Sequence, residues 1–291
     1  MTAPQPTDVL LIGGGVAAAS AARTLREADF DGSIALITRE LDAPYHRPPG
    51  SKELLRGEQA ADAALVLPAD WYAEHDVDLR TRTSVMSLDP AARTVKLQTK
   101  DELVYERALL ATGAMVRRLN VDGSGLRGIH YLRSLRNADA IRQDLETVGG
   151  LDGARVVLIG GSYIGCEVAA SLASLGVGCT ILMQESEPLE RTFGAEIGRW
   201  VRKRLEDGGV TVRGGVEVEA FLPAARADAE ERVGAVGIVG GESVPADLVV
   251  CGVGAQPDVM LGKRAGLELG ESGGVRCDDR LRTSATGLWA A

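Results

Sequence analysis

Two glycine-rich turns contain the residues whose types and spacing point most directly to a ligand-binding role. The first is Gly13–Ala18, with the sequence GGGVAA, and the second is Gly160–Gly165, with the sequence GGSYIG. A nucleotide pyrophosphate needs a tight turn, a close backbone approach and helix N–H groups that point at the anion. A glycine-rich turn between a strand and a helix meets all three needs. Two predicted dinucleotide sites in one chain indicate redox chemistry.

The strands and helices around both turns must position them. Val9–Ile12 and Val156–Ile159 are apolar runs without alternation, which predicts strands buried on both faces. Helices rich in small residues are predicted after the turns, over Ala19–Glu27 and Val168–Leu175. The turns lie about 150 residues apart, roughly one domain length. We therefore expect an α/β fold with two Rossmann-like dinucleotide-binding domains. The alternative is that both turns are structural crossovers in one sheet.

The composition narrows the class of protein. The chain has 291 residues, 45% of them hydrophobic and 25% charged, which is ordinary for a globular protein of two domains. Its net charge of −9 argues against nucleic-acid binding as a main activity. No apolar run approaches the length of a membrane span, so we expect no membrane association and a cytoplasmic location.

The cysteines and histidines do not form a recognisable metal or redox pattern. Cys166, Cys179, Cys251 and Cys277 show no C-x-x-C spacing, so neither a zinc knuckle nor a redox dithiol is predicted. We expect each cysteine to pack as a small hydrophobic residue. The three histidines are too dispersed for a metal site.

Acidic residues near predicted strand ends are candidates for ribose binding. Glu40 follows the strand Ser33–Ile37 and lies about twenty residues after the first turn, where a carboxylate can accept hydrogen bonds from a ribose. The alternative for Glu40 is a solvated loop acid. Glu185 and Glu187 follow the strand Cys179–Met183. Glu185 could meet a ribose hydroxyl, and both carboxylates would repel the 2′-phosphate of NADPH.

A proline-rich segment, Pro44–Lys52, offers a second kind of ligand contact. Its three prolines predict an extended, pre-organised path along a ligand, and Arg47 and Lys52 offer fixed positive charge. A rigid surface loop is the alternative. The strand Tyr105–Leu110 ends in small residues, Ala111–Gly113, which let the chain pass close to a nucleotide.

Weaker patterns predict the remaining elements. Trp71–Leu79, Val85–Leu88 and Thr94–Gln98 predict a strand pair attached to the first domain. Asn137–Glu146 and Ile197–Glu206 predict helices, Val210–Val239 predicts a β-rich run, and Asp247–Gly254 predicts a buried strand that closes in a Gly-x-Gly turn.

Five segments, taken in order, resemble the FAD-dependent ferredoxin reductase family of the pyridine nucleotide-disulphide oxidoreductases. They are Pro44–Lys52, Ala111–Gly113, Gly160–Glu167, Asp247–Pro257 and Leu281–Ala291. The resemblance covers essentially the whole chain, and Pro44–Lys52 is its most specific part. It implies an FAD-binding domain formed by residues 1–113 and 247–291, with an NAD(H)-binding domain, residues 114–246, inserted.

The resemblance implies roles for individual residues. The FAD pyrophosphate and ribose would be held by Gly13, Gly15, Ala18 and Glu40. The flavin would be lined by Arg47, Lys52, Thr112, Gly113 and Arg117. NADH would be held by Gly160, Ser162, Ile164, Gly165, Glu185 and Gly254. The candidate catalytic residues are Tyr163, which would rest over the flavin face, and Glu167, which would pair with Lys52 near the reactive flavin nitrogen.

The function implied is transfer of hydride from NADH to FAD, followed by electron transfer to a ferredoxin or related iron–sulfur protein. Three positions depart from the family: Ser162 adds bulk where a glycine is usual, Gly50 replaces the usual leucine, and Met183 stands where an acid is common. The family continues beyond the equivalent of Ala291 into a Gly-Asp turn and a C-terminal domain. We therefore expect a C-terminally truncated chain that retains little FAD. The alternatives are an NAD(H)-binding module without turnover and a flavin NADH oxidase resembling apoptosis-inducing factor.

Overall fold

The chain divides into two compact units. The computed structural model describes residues 5–151, 153–225 and 231–291. The first unit is formed by three segments, Met1–His46, Asp62–Met115 and Gln256–Ala291, and the second by Arg47–Ala61 and Val116–Ala255. The predicted boundary 113/114 lies two residues before the one at Met115. Residues 247–255 and Arg47–Ala61 were both predicted in the first domain, but they group with the second unit. The assignment of FAD to the first unit and NAD(H) to the second stays a prediction.

The described ranges contain seventeen strands and seven α-helices. The strands are β1 (Gln5–Ile12), β2 (Ile34–Ile37), β3 (Val77–Arg80), β4 (Val85–Asp89), β5 (Thr94–Leu97), β6 (Glu102–Leu110), β7 (Ala114–Val116), β8 (Ile129–His130), β9 (Arg155–Ile159), β10 (Gly178–Leu182), β11 (Thr211–Arg213), β12 (Val218–Pro223), β13 (Val233–Ile238), β14 (Ser243–Pro245), β15 (Leu248–Cys251), β16 (Ala255–Pro257) and β17 (Leu288–Ala290). The helices are α1 (Val16–Glu27), α2 (Glu53–Arg56), α3 (Trp71–Glu74), α4 (Leu135–Thr147), α5 (Tyr163–Ser174), α6 (Glu190–Asp207) and α7 (Met260–Arg264). Within the same ranges, no helix is both long enough and apolar enough to cross a membrane.

A seven-stranded sheet forms the first unit. Its order is β3-β2-β1-β6-β5-β4, and β17 also pairs with β6. The strands β3, β2, β1, β6 and β17 run parallel, whereas β4 and β5 form an antiparallel hairpin. The hairpin confirms the strands predicted at Val85–Leu88 and Thr94–Gln98. The prediction was wrong for Trp71–Glu74, which forms α3, and β3 pairs with β2. On one side, β6 pairs with β5 through Glu102–Val104 and with β17 through Ala108–Leu110.

The second unit has its own parallel sheet, in the order β11-β10-β9-β15-β8, and a separate antiparallel sheet, β12-β13-β14. The two glycine turns follow β1 and β9, which belong to different sheets. The alternative that both turns are crossovers in one sheet is therefore wrong. The predicted β-rich run Val210–Val239 contains β11, β12 and β13, and its residues 226–230 lie outside the described residues.

The helix after each turn packs on its sheet through small or apolar residues. In α1, Ala18, Ala19 and Ala22 are fully buried, and their small size lets the helix lie close to the strands. Both α1 and α5 begin earlier than predicted, directly after Gly15 and Ser162, which have extended backbones at the helix N-cap.

The proline-rich segment differs from its prediction. Pro48–Ser51 forms one turn of 3₁₀-helix rather than an extended path. Proline fits the first turn of a helix because its fixed φ suits that turn and its missing N–H would have no partner there. The turn buries Gly50 and Ser51 and leads into α2, whose Leu55 joins the core of the second unit.

Candidate functional site

In the first turn, the fold requires a glycine at Gly13 but not at Gly15. Gly13 has a φ of +137°, and a Cβ there would lie 2.0 Å from the carbonyl oxygen of Ala111. Gly15 has a φ of −107°, which any residue adopts. A Cβ at Gly15 would meet nothing within 4 Å. The open space beside Gly15 therefore lies on the outer side of the turn, where a ligand can approach.

The second turn repeats this arrangement with tighter packing. Gly160 has a φ of +101°, and a Cβ there would lie 2.6 Å from the carbonyl oxygen of Gly252. A Cβ at Gly165 would lie 2.0 Å from the carbonyl oxygen of Gly160. Ser162 occupies the place of Gly15, and its hydroxyl donates to the Gly252 carbonyl at 2.6 Å. The added hydroxyl is thus held against the protein's own backbone.

The first N–H groups of α1 and α5 have no side-chain cap. Gly15 has no side chain to offer, and the Ser162 hydroxyl is engaged elsewhere. The leading N–H groups of a helix have no partner within the helix, and the helix dipole favours negative charge beside them. Both helix ends are therefore suited to the pyrophosphate of a dinucleotide.

Further polar groups stand at strand ends in the first unit. Glu40 follows β2, is half-buried, and accepts a hydrogen bond from the hydroxyl of the buried Tyr45. This contact orients the carboxylate. Thr112 follows β6, and its hydroxyl donates to the carbonyl of Asp258 at 2.6 Å. Gly113 has a φ of +69°, which favours glycine.

A cavity of about 350 Å³ in the second unit gathers seven of the predicted site residues. They are Arg47, Lys52, Ser162, Tyr163, Ile164, Glu167 and Gly254. Three elements supply them: the proline-rich segment, the start of α5 and the loop after β15. Arg117 does not line the cavity, but its N–H donates to the Gly254 carbonyl at 3.0 Å.

The predicted pairing of Lys52 with Glu167 is present. Lys52 Nζ lies 2.7 Å from Glu167 Oε2, and about a third of each side chain is exposed. The same carboxylate oxygen accepts from Ser51 Oγ at 2.5 Å. Ser51 was part of the recognised segment but carried no predicted role, because a contact between residues 116 positions apart leaves no local pattern. Whether this group acts at a flavin stays a prediction.

Tyr163 is the first residue of α5 and stands at the cavity with half of its surface exposed. Its ring meets Phe193 edge-on, with centroids 6.2 Å apart. The ring is therefore supported on one side and has a free surface on which a planar ligand can stack.

The acids after β10 have partners that the sequence did not indicate. Glu185 forms an ion pair with the exposed Arg191. Glu187 accepts from Arg202 at 2.6 Å. Met183 is buried. Both arginines come from α6, Arg191 before and Arg202 after the non-helical Gly194, so their positions depend on how the two helical segments pack. They offset part of the negative charge that the sequence predicts here.

A second cavity of the same unit, about 480 Å³, contains none of the predicted site residues. Its arginines, Arg202 and Arg213, are engaged by Glu187 and Glu242. These arginines, which an anionic ligand would need, are therefore already paired with carboxylates of the protein.

The cysteines agree with the prediction that they pack as hydrophobic residues. Cys166, Cys179 and Cys251 are buried and Cys277 is half-buried. Burial raises the pKa of the Cys251 thiol to about 12, so this cavity-lining group stays protonated at neutral pH.

Comparison with known proteins identifies the family. Residues 7–291 match the family model described as pyridine nucleotide-disulphide oxidoreductase. The chain belongs to this family. Its two Rossmann-like dinucleotide-binding domains, predicted from the sequence, are confirmed by the match to solved structures of this oxidoreductase family.

Individual relatives give the comparison more detail. The chain is 39% identical over 283 residues to the ferredoxin–NAD(+) reductase component of the biphenyl dioxygenase system of Paraburkholderia xenovorans (strain LB400). The aligned region covers 97% of this chain and 66% of that protein. It is 35% identical over 282 residues to the rubredoxin-NAD(+) reductase of Pseudomonas putida, with 97% of this chain and 70% of that protein covered.

The covalent putidaredoxin reductase–putidaredoxin complex is a similar solved structure. It matches with a TM-score of 0.91 and 31% identity, over 98% of this chain and 67% of that chain. The chain thus spans about two thirds of the length of these oxidoreductases.

Proposed function

We propose that this chain is the dinucleotide-binding part of an FAD-dependent NADH:ferredoxin reductase. It would take hydride from NADH and pass electrons singly to a ferredoxin or related iron–sulfur protein. The observation that carries the proposal is the cavity at the second glycine turn, which gathers an aromatic ring, an ammonium and a carboxylate. The electron-transfer names of the relatives support it. We place the reaction in the cytoplasm because NADH is an intracellular coenzyme.

The two turns would hold the two dinucleotides. In the first unit, the uncapped N–H groups of α1 would bind the FAD pyrophosphate, and Glu40 would accept from a ribose hydroxyl. In the second unit, the start of α5 would bind the NADH pyrophosphate in the same way. Bound FAD supplies the acceptance of a hydride and the release of electrons one at a time.

The side chains of the cavity would orient and stabilise rather than react. Lys52, held by Glu167, presents a fixed positive charge that stabilises negative charge developing on a neighbouring ligand. Tyr163 offers a ring that covers a planar ligand and excludes water. The Cys251 thiol stays protonated and takes no part. No side chain of the cavity has to act as a nucleophile.

Absorption spectroscopy of the purified chain, reconstituted with FAD, tests the proposal. We expect flavin bands that bleach when NADH is added without oxygen and return when an oxidised iron–sulfur protein follows. Gly165→Val is the control, because its side chain would collide with the Gly160 carbonyl in the second turn. This variant should keep the flavin bands and lose the bleaching.

The other outcomes separate the alternatives. A chain that binds NADH but takes up no flavin would contradict the proposal and favour an NAD(H)-binding module. Bleaching that only oxygen reverses would favour a flavin NADH oxidase.

A further inference from the structure

We propose that Ser51 is the positioning residue of the Lys52–Glu167 pair. Its hydroxyl donates to the carboxylate oxygen that also accepts from Lys52. The importance of the pair for hydride transfer rests on the proposed function, whereas the positioning itself can be tested on the chain without any cofactor.

Exposure separates the buried member of this group from the two partly exposed ones. Ser51 is 2% exposed, while 36% of the Lys52 side chain and 31% of the Glu167 side chain are exposed. An ion pair with this degree of exposure contributes little to stability, because both long side chains lose rotamer freedom when they meet. A buried hydroxyl in contact with the carboxylate supplies the fixed point that the pair lacks.

The backbone of Ser51 is fixed as firmly as its hydroxyl. The Ser171 hydroxyl donates to the Ser51 carbonyl at 2.7 Å, and Ser171 is itself buried. Glu167 and Ser171 are four residues apart on α5 and therefore share one face of that helix. Two polar groups of Ser51 are thus matched to two side chains, one turn apart, on one helix.

A second acceptor lies near the Ser51 hydroxyl but does not compete effectively. The Pro48 carbonyl lies 3.1 Å from Ser51 Oγ, whereas Glu167 Oε2 lies at 2.5 Å. A hydroxyl has one proton, and a carboxylate is the stronger acceptor. The proton therefore points at Glu167, and removal of the hydroxyl frees the carboxylate to rotate away from Lys52.

The charged residues that line the cavity with Ser51 come from three elements. Lys52 and Arg47 belong to the proline-rich segment, Glu167 to α5, and Arg133 to the residues before α4. Glu167 supplies the negative charge among them and lies 2.7 Å from the Lys52 ammonium, whereas the Pro48 carbonyl, the other acceptor of that ammonium, lies at 3.4 Å. The position of Glu167 therefore contributes most to holding Lys52.

Competitive acetylation, followed by mass spectrometry at one pH, tests the proposal on the cofactor-free chain. Only the neutral amine attacks the acetylating reagent, so Lys52 must first give up a proton and leave the carboxylate. A carboxylate that is no longer held in place should therefore let Lys52 react faster. We expect Ser51→Ala to raise the Lys52 acetylation rate about fivefold, the factor that matches one ordinary hydrogen bond. Glu167→Gln should raise it at least as much. Ser51→Thr, which keeps the hydroxyl, should restore the original rate.

Matched controls are available in the chain. Ser174→Ala removes a hydroxyl of α5 that bonds the Ser171 carbonyl and should leave the rate unchanged. Lys96 on β5 serves as the internal reference lysine. An unchanged Lys52 rate in Ser51→Ala, or a rate that Ser51→Thr fails to restore, would overturn the proposal. An unchanged rate in Glu167→Gln would do the same, since the pair would then not hold Lys52 in solution.

A second measurement separates this proposal from the proposed function. With FAD reconstituted, Ser51→Ala should slow flavin reduction at saturating NADH and leave the KM for NADH unchanged. If the acetylation results hold but no variant, nor the original chain, reduces flavin, then the proposed function is wrong and the positioning role stands.

Discussion

The Ser162 hydroxyl donates to the Gly252 carbonyl and so ties the second glycine turn to the end of β15. A serine at a helix N-cap ordinarily accepts a hydrogen bond from an N–H of the first turn. Here the residue has the right type and place for a cap, yet its hydroxyl points at another loop and accepts from no N–H of the helix. The helix N–H groups remain for a ligand, and the turn gains a link to the neighbouring strand.

Because of this link, we expect Ser162→Ala to lower the stability of the protein while leaving its coenzyme binding nearly unchanged. We expect the variant to lose about 1 kcal/mol of stability, the usual net contribution of one hydrogen bond, seen as a lower melting temperature. The Kd for NADH, measured by fluorescence titration, should stay within about twofold because the N–H groups of α5 are untouched. Loss of NADH binding without a change in melting would contradict this account.

Gly15→Ala should harm FAD binding without harming the fold. The protein itself leaves room for a Cβ at this position, so a requirement for glycine can come only from a ligand. We expect an unchanged melting temperature and at least about a tenfold weaker affinity for FAD, which corresponds to the loss of about 1.4 kcal/mol. Gly125→Ala is the control, since a Cβ there also meets nothing within 4 Å. Normal FAD affinity in Gly15→Ala would place the pyrophosphate elsewhere.

The coenzyme should be NADH, and Glu185 should decide this. Its carboxylate pairs with the exposed Arg191 and would repel a 2′-phosphate. We expect kcat/KM for NADH to exceed that for NADPH by at least about tenfold, and Glu185→Gln to lower that ratio by a similar factor as Arg191 is released. Equal values for the two coenzymes in the original chain would refute the prediction.

Tyr163→Ala should change the reaction with NADH while leaving the flavin spectrum intact. The ring lines the cavity and is half-exposed, so its removal opens space without breaking the core. We expect a changed flavin reduction rate or a changed KM for NADH in stopped-flow measurements. Phe193→Ala, which removes only the ring that supports Tyr163, should have a smaller effect. Loss of flavin in Tyr163→Ala would show that the ring is structural.

Lys52 and Glu167 should act as one unit in flavin reduction. A double-mutant cycle with Lys52→Met and Glu167→Gln should give a coupling of roughly 0.5–3 kcal/mol, so that the double variant is little worse than the poorer single one. The Arg213–Glu242 pair, 2.8 Å apart, does not line the cavity that contains Lys52 and Glu167. It provides a control cycle that should have no effect on the rate of flavin reduction. Additive effects at Lys52 and Glu167 would remove the proposed cooperation.

Short-range patterns predicted the parts of the fold that depend on neighbouring residues. The strands before both glycine turns and the hairpin of β4 and β5 follow from apolar runs and turn residues. Helix beginnings were less accurate. The start of α6 at Glu190 was missed because Gly194, with a φ of +80°, interrupts the periodic pattern inside it.

The site was predictable only where a motif marks it. The Lys52–Glu167 pair followed from a family resemblance, not from spacing. The contacts of Ser51, Arg191 and Arg202 were not predictable, because each joins side chains from different elements and depends on packing. Local sequence predicts the glycine turns, whereas tertiary packing decides which charged groups remain available to a ligand.

The pairing of β6 with β17 has a consequence for synthesis. Every residue of the second unit, and two of the three segments of the first, leave the ribosome before Leu288–Ala290. Domains fold as units during translation, so the second unit can be complete while the Ala108–Leu110 edge of β6 still waits for its neighbour. An open strand edge invites pairing with another chain. This edge of a nascent chain is therefore open to misassembly until β17 pairs with it.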